Sequence, residues 1–507
     1  MKKSLFIITM LLVLFLSACA VSAAENATDV SDNQTTDTVT NDDVAVENTS
    51  SDVSNITVKK NSTISASKVV GYTTFKTTFT AKLESEDGPL ASKLVNVTVN
   101  GVTYKKTTDK DGLVSVKLSL SNGTYKVKLN YAGDENTTSA KTTSKITIKN
   151  AIKTSVKVAD KDINYRQGSK CVVIVKLIDA NGKAVKNQNV TFKVNGKKYV
   201  AKTNSKGCAE IFVSLKKGTY KVKYSFAKNA PYLSSSGSHK IKVKAAMGKG
   251  NGYWVWSSHM NKVNLKTLSK SGCKQIFLHV HSISVHGKSA VVSWIKKAHN
   301  YGMKVHLWMQ VFYSGGVWVR PVNEDGSFKY SYMNKKISEA KSYAKIKGVD
   351  GIHFDYVRFG GTAHLYKTST DAVNYFVKKA SIAVHKIKSN MIVSAAVMPE
   401  PSMMDYYYGQ DIPTISKYVD VILPMVYKGN YGKNTAWIKS VTKTFVGQSN
   451  GAQIWTGLQS YKSDDNPAKL SHSELKKDAK AAKSGGATGV ILFRWGISKF
   501  LNFNKVF

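Results

Sequence analysis

Two hydrophobic patterns divide the chain. Between about residues 65 and 244, apolar and polar positions alternate in short runs such as Val114, Val116, Leu118 and Leu120, separated by Asn-Gly or Asp-Gly pairs. A period of two punctuated by tight-turn signals predicts antiparallel strands with one face on a core. From Gly250 onward, apolar runs of strand length alternate with helix-like stretches for about 258 residues. That is close to the ~250 residues of a (β/α)8 barrel. The runs predict strands at Tyr253–Trp256, Gln275–Val280, Lys304–Gln310, Gly351–Asp355, Met391–Val397, Val419–Val426, Ala452–Leu458 and Thr488–Phe493. Helices fit at Ser289–Asn300, Asn334–Lys345, Asp371–Lys388 and Ser473–Ser484. An open doubly wound sheet is the alternative.

The first region repeats itself. Val99-Asn100-Gly101 returns as Val194-Asn195-Gly196, Gly112 as Gly207, and Gly123-Thr124-Tyr125-Lys126-Val127-Lys128 as Gly218-Thr219-Tyr220-Lys221-Val222-Lys223, always offset by 95. The expected architecture is two all-β sandwiches, at 65–149 and 152–244, ahead of an α/β domain at 249–507. The repeated units resemble the bacterial-Ig-like repeats of archaeal and bacterial surface proteins, which implies a stalk or attachment role. They contain no catalytic cluster.

Residues 1–24 have the layout of a secretory signal, with Lys2-Lys3 ahead of an apolar run from Leu5 to Leu16 and small residues at Ser22 and Ala24. Leu16-Ser17-Ala18-Cys19 also fits a lipobox, so Cys19 is a candidate lipid anchor. Residues 25–64, rich in Asn, Thr and Asp, read as a disordered spacer. No later stretch has the ~20 apolar residues of a membrane span. The expected location is therefore extracellular, secreted or at the cell surface. All nine Asn-x-Ser/Thr sequons fall at or before Asn189, which is where an exported chain could carry sugars. Cys171 and Cys208 share a module, but strand alternation puts Cys208 out of phase with the inward Ala209, Ile211 and Val213, which counts against a disulfide.

The 74 Lys+Arg against 33 Asp+Glu give a formal net charge of +41. A field of that sign favours polyanions without specifying a fold. Nucleic acid is not the expected partner, because no recognition fold shows and the lysines are dispersed. A polysaccharide or cell-wall glycan, neutral or anionic, is.

A parallel barrel offers its C-terminal rim for chemistry. Asp350 and Asp420 precede their strands and belong at the bottom, whereas Asp355 ends the fourth strand and Glu400 follows the fifth. Alternation turns His306, Trp308 and Gln310 to one side of strand three, His353 and Asp355 to one side of strand four, and His279 and His281 to one side of strand two. A lining of His, Trp, Gln and Asp is unlike the Val, Ile and Leu of a purely structural barrel. Trp256, Trp308, Tyr427 and Trp495, at strand ends, suit sugar rings. Among only four arginines, Arg320, Arg358 and Arg494 fall near this rim, where a planar fork can orient a carboxylate or grip an anionic substrate.

The run Asp350-Gly351-Ile352-His353-Phe354-Asp355-Tyr356-Val357-Arg358-Phe359, with Val419-Asp420-Val421-Ile422-Leu423-Pro424-Met425-Val426-Tyr427, resembles a family of (β/α)8 barrels assigned to glycoside hydrolysis. The resemblance implies a carbohydrate-active hydrolase without a cofactor. A distant likeness to chitinases is weakened by Val357, which stands where their motif ends in an acid. The signal, spacer and repeats together resemble surface proteins of methanogenic archaea.

Glycosidic hydrolysis takes two carboxyls. Asp355, beside Arg358, is expected as an ionised nucleophile or base, and Glu400, among Met398, Pro399 and Pro401, as the general acid. Asp405 and Asp411 are reserves. His279, His281, His306, His353, Gln310, Arg494 and Trp495 are expected to bind substrate with Trp256, Trp308, Arg358 and Tyr427. Two other readings stay open: a non-catalytic glycan-binding adhesin, and a metal-dependent polysaccharide deacetylase or amidohydrolase using the histidines.

Overall fold

A computed structural model describes residues 58–507. The signal segment, Cys19 and the spacer up to residue 57 lie outside the described residues. The first strand, Ser62–Ser65, starts inside the segment expected as spacer, because Ile64 packs into the core and Ser62 bonds Thr138 across 76 residues.

Each repeat unit pairs two sheets over one apolar core. In the first, a four-stranded sheet holds Ser62–Ser65, Thr77–Ser85, Gly88–Pro89 and Leu113–Leu118. It faces a five-stranded sheet ordered Val69–Tyr72, Ala140–Lys149, Gly123–Tyr131, Leu94–Val99, Val102–Thr107. Phe79, Val97, Val116, Leu129 and Ile146 fill the space between. The second unit repeats the plan, with Thr154–Val158, Cys171–Asp179 and Cys208–Val213 against Tyr165–Arg166, Ser235–Lys244, Gly218–Phe226, Asn189–Val194 and Lys197–Lys202. Cys171 pairs with Val213 and Cys208 with Lys176. The two thiols therefore stand five positions apart on adjacent strands, about 17 Å at strand rise, and both are free.

The C-terminal region closes into an eight-stranded, all-parallel barrel. Its strands are β1 (Gly252–Val255), β2 (Gln275–His279), β3 (Lys304–Gln310), β4 (Gly351–Asp355), β5 (Ile392–Val397), β6 (Val421–Pro424), β7 (Gln453–Gln459) and β8 (Gly489–Phe493). Strands covered on both faces become continuous apolar runs, and Val421-Ile422-Leu423-Pro424 is buried at every position. Helices Lys288–Asn300, Tyr330–Ala344, Ser369–Ile387, Thr435–Gln448 and His472–Ser484 cover the outside. Inside, Trp254, Phe277, Trp308, Leu423 and Trp455 form a second core.

The second unit meets the bottom of this barrel through a buried charge cluster. Asp420, just ahead of β6, accepts hydrogen bonds from Arg166 Nε (2.6 Å), Asn164 Nδ2 (2.7 Å), His385 Nε2 (2.9 Å) and the Val393 amide (2.9 Å). Burial opposes its charge, but His385, Arg166 and Lys244 together hold its carboxyl far below the usual carboxylate range. At the margin, Asp160 takes the Tyr418 hydroxyl (2.6 Å) and the Lys378 ammonium (3.0 Å).

Candidate active site

The barrel's C-terminal rim opens into a cleft of about 420 Å³. Asp355 closes β4 and lies on its floor, 8% exposed. Its Oδ2 accepts from the indole of Trp308 on neighbouring β3 (2.9 Å), and its Oδ1 accepts from the Tyr356 amide (2.7 Å). Tyr356 itself adopts φ +52°, a left-handed conformation costing of order 1–3 kcal/mol for a non-glycine residue. The same turn stacks Tyr356 on Tyr313 (4.7 Å between centroids) and sets it edge-on to Trp318 (5.6 Å).

Burial pushes the Asp355 carboxyl above the usual carboxylate range. The two hydrogen bonds and the Arg358 charge oppose this and are outweighed. Arg358 favours the ionised form, as the sequence predicts, but it is the last of the opposing influences and does not outweigh burial. Its guanidinium is spent on aromatic faces, 4.6 Å from the Trp318 centroid and 5.5 Å from those of Tyr356 and Tyr408, while Nη1 donates to its neighbour's carbonyl, Phe359 O.

A second carboxylate borders the cleft, and the sequence reading missed it. Asp464, in the loop after β7, accepts from the Tyr461 hydroxyl (2.6 Å) and from Asn430 Nδ2 (2.9 Å), and its amide donates to Asn430 Oδ1 (2.9 Å). Asn430 belongs to the loop after β6, which Gly429 brings so close that a Cβ there would lie 1.5 Å from Lys462 O. Asp355 and Asp464 both oppose ionisation of Tyr427 and Tyr356, after burial itself, so the two phenols stand in the field of both acids. The only sequence signal for Asp464 was its place after a strand, in a Ser-Asp-Asp-Asn run that reads as an ordinary turn.

Glu400 does not line the cleft. Its Oε1 accepts the hydroxyls of Tyr431 (2.8 Å) and Tyr408 (3.0 Å), and Tyr431 with Met398 and Pro399 forms the wall in front of it. Asp405 and Asp411 border a separate pocket with Pro401 and Gln410.

Trp256, Trp308, Arg358 and Tyr427 share the cleft with Asp355. The other predicted binders do not. His306 and His353 are fully buried beneath it: His306 Nε2 meets Gln275 Oε1 (2.8 Å) and the ring stacks on Phe277, while His353 Nδ1 meets Ser394 Oγ (2.9 Å). Burial drives both imidazoles down, His306 to about 4, so they fill the barrel as neutral rings. His279, His281 and Gln310 line a flanking pocket of about 260 Å³. The His279 ring packs against Trp256 (4.9 Å) and Trp308 (4.8 Å) and, pushed down to about 4 by burial and then by His281, buttresses them as a neutral ring. Arg494 lies 3.5 Å from His259, and Trp495 packs on the same histidine, both outside the cleft lining. Among the described residues no three His, Cys, Asp or Glu side chains are grouped to hold a metal; the histidines required by the deacetylase reading are parted between the barrel interior and the flank.

Residues 295–489 match a family model described as "Putative glycosyl hydrolase domain". No curated protein matches the chain. Solved structures with a similar fold include a chitinase from Chromobacterium violaceum, at 12% identity over 51% of this chain and 98% of that one, TM-score 0.39. Another is the spore cortex-lytic enzyme SleL of Bacillus megaterium, at 13% identity over 53% and 75%, TM-score 0.36. Fibronectin(III)-like modules of CbhA from Clostridium thermocellum are similar at 14% identity over 36% and 95%, TM-score 0.26. At such scores the reading of function rests on the residues.

Proposed function

We propose that the barrel hydrolyses glycosidic bonds of an extracellular or cell-wall polysaccharide, with Asp355 as general acid and Asp464 as the opposing carboxylate. The observation that carries this reading is a buried carboxyl whose surroundings favour its proton, on the floor of an aromatic cleft that a second carboxylate also borders. A leaving oxygen needs a proton donor, and burial moves Asp355 in that direction by raising its carboxyl above the usual carboxylate range. The second carboxylate attacks the anomeric carbon or activates water. Trp256, Trp308, Tyr427 and Tyr431 present ring faces and edges to sugar C–H groups. Glu400 is a positioning residue in this scheme, holding Tyr431 against the cleft. The likeness of 295–489 to a glycosyl hydrolase domain supports the same chemistry. The N-terminal units serve as Ig-like stalk or attachment modules of a secreted or surface-held enzyme.

Release of reducing ends from a panel of polysaccharides by the full chain, beside Asp464→Asn, tests the pair. The variant is expected to lose roughly 10²–10⁴-fold in kcat, the usual worth of a positioned acid or base. Equal release by both proteins removes Asp464 from the chemistry. Binding without release by either leaves the site a glycan-binding one, since stacking aromatics serve a lectin equally well.

A further inference from the structure

The positive charge of the N-terminal half is not spread evenly over its two repeat units. Residues 65–149 hold thirteen basic and seven acidic residues, whereas 152–244 hold twenty-one and four. Of five lysines clustered on the outward face of the second unit's five-stranded sheet, Lys221, Lys223 and Lys240 recur in the first unit as Lys126, Lys128 and Lys145, while Lys193 and Lys198 do not recur. There Lys193 stands directly opposite both Lys198 and Lys223 on its two neighbouring strands, and Lys221 stands opposite Lys240. All five are exposed, and among the described residues none forms an ion pair.

Like charges directly across a ladder destabilise a sheet, and the repeat supplies an internal control. At the positions equivalent to Lys193 and Lys198, the first unit carries Thr98 and Thr103, whose hydroxyls hydrogen-bond at 2.8 Å. The fold is thus built with a neutral pair at this place, and the second unit replaces that pair by mutual repulsion. The next outward row is short and hydroxylic: Thr191 faces Ser225, and Ser225 faces Ser236. The step down from lysines to hydroxyls leaves a shallow trough of about 460 Å³ across three strands.

We infer that this sheet face binds an acidic polysaccharide, the lysines meeting its carboxylates and the hydroxyl row meeting its sugar hydroxyls. Flexible ammonium stems suit carboxylates recurring along a chain, whereas the fork of arginine suits a fixed bidentate partner. The unit's one arginine, Arg166, is buried against Asp420 instead. Choosing a glycan over other polyanions rests on the reading of the barrel given above; the charged trough does not.

The test measures binding of the full chain to polygalacturonate by affinity electrophoresis at low and high salt, with neutral dextran, phosphatidylglycerol vesicles and duplex DNA as comparators. Lys193→Thr/Lys198→Thr/Lys223→Gln installs the first unit's own pair and removes a third charge. It is expected to weaken polygalacturonate binding by roughly tenfold or more at low salt, where loss of surface charges is least screened. Lys126→Gln/Lys128→Gln/Lys145→Gln, on the same face of the first unit, is expected to change it less than about threefold. The melting temperature of the first variant should hold or rise as repulsion is relieved; should it unfold, Lys193→Thr/Lys198→Thr alone carries the comparison. Equal losses from both triple variants, no binding to polygalacturonate, or tighter binding of vesicles or DNA through the same lysines would each overturn the inference. Binding without hydrolysis leaves it standing while removing the barrel reading; hydrolysis without binding does the reverse.

Discussion

Asp355 keeps its proton to a higher pH in the folded chain than in the unfolded one, because burial outweighs its two donors and Arg358. The folded state therefore binds more protons than the unfolded state from the ordinary carboxylate range up to the raised folded value, and stability falls as pH rises through that window. Asp355→Asn removes this penalty. Its melting temperature at pH 7 is expected to lie above that of the parent while hydrolysis of the native polysaccharide falls, a stability gain at an active site's expense. A lower melting temperature would mean that the carboxylate is stabilising. The activity of the parent should decline as pH rises through the Asp355 value, measured as kcat against pH. That role was only half legible in the sequence: strand alternation located Asp355 at the rim, but residue neighbours in sequence pointed to Arg358 as its controlling charge. In space the guanidinium faces three rings. His306 teaches the same lesson, because an inward polar residue reads as site lining until Gln275, on the neighbouring strand β2 and 31 residues earlier in the chain, is found bonded to it. Gly351 is the glycine that this histidine requires, since a Cβ would lie 2.1 Å from His306 Nδ1. Gly351→Ala is expected to cost about 1–3 kcal/mol by overpacking, measured by urea unfolding.

Elements were more legible than residues. Strand runs such as Val421-Ile422-Leu423-Pro424 are apolar on both faces because helices cover one side and the barrel core the other, and that continuity shows without a structure. Loops carry no such periodicity. The Asp464 carboxylate depends on two of them meeting, through Gly429, Asn430 and Tyr461, and nothing in either segment alone announces the contact. The β2 end contributes through packing: His279 wedges against Trp256 and Trp308 from outside the cleft. His279→Ala should loosen both rings and raise KM by up to about tenfold, with a smaller change in kcat, given aromatic pairs worth about 0.5–1.5 kcal/mol each. A loss confined to kcat would instead place the imidazole in the chemistry.

Across the whole molecule, the second repeat unit and the barrel share one buried charge cluster, Arg166 on one side and Asp420 with His385 on the other. The salt-bridged side chains are 4% and 0% exposed, so removing one partner strands the other away from water. Arg166→Met is expected to cost about 3–5 kcal/mol, read as a shift of the urea midpoint; a change within error would show that water reaches Asp420. This docking lies at the barrel bottom, opposite the cleft, so a glycan held on the unit's lysine face need not obstruct the rim. The measurement that bears most directly on the whole account compares Asp355→Asn on two substrates of one glycan. Hydrolysis of the native polysaccharide, whose leaving alcohol needs a proton, is expected to fall by roughly 10²–10⁴-fold. Hydrolysis of the dinitrophenyl glycoside, whose leaving group needs none, is expected to be nearly unchanged. Equal loss on both, or loss on neither, would contradict the assignment of Asp355 as the acid.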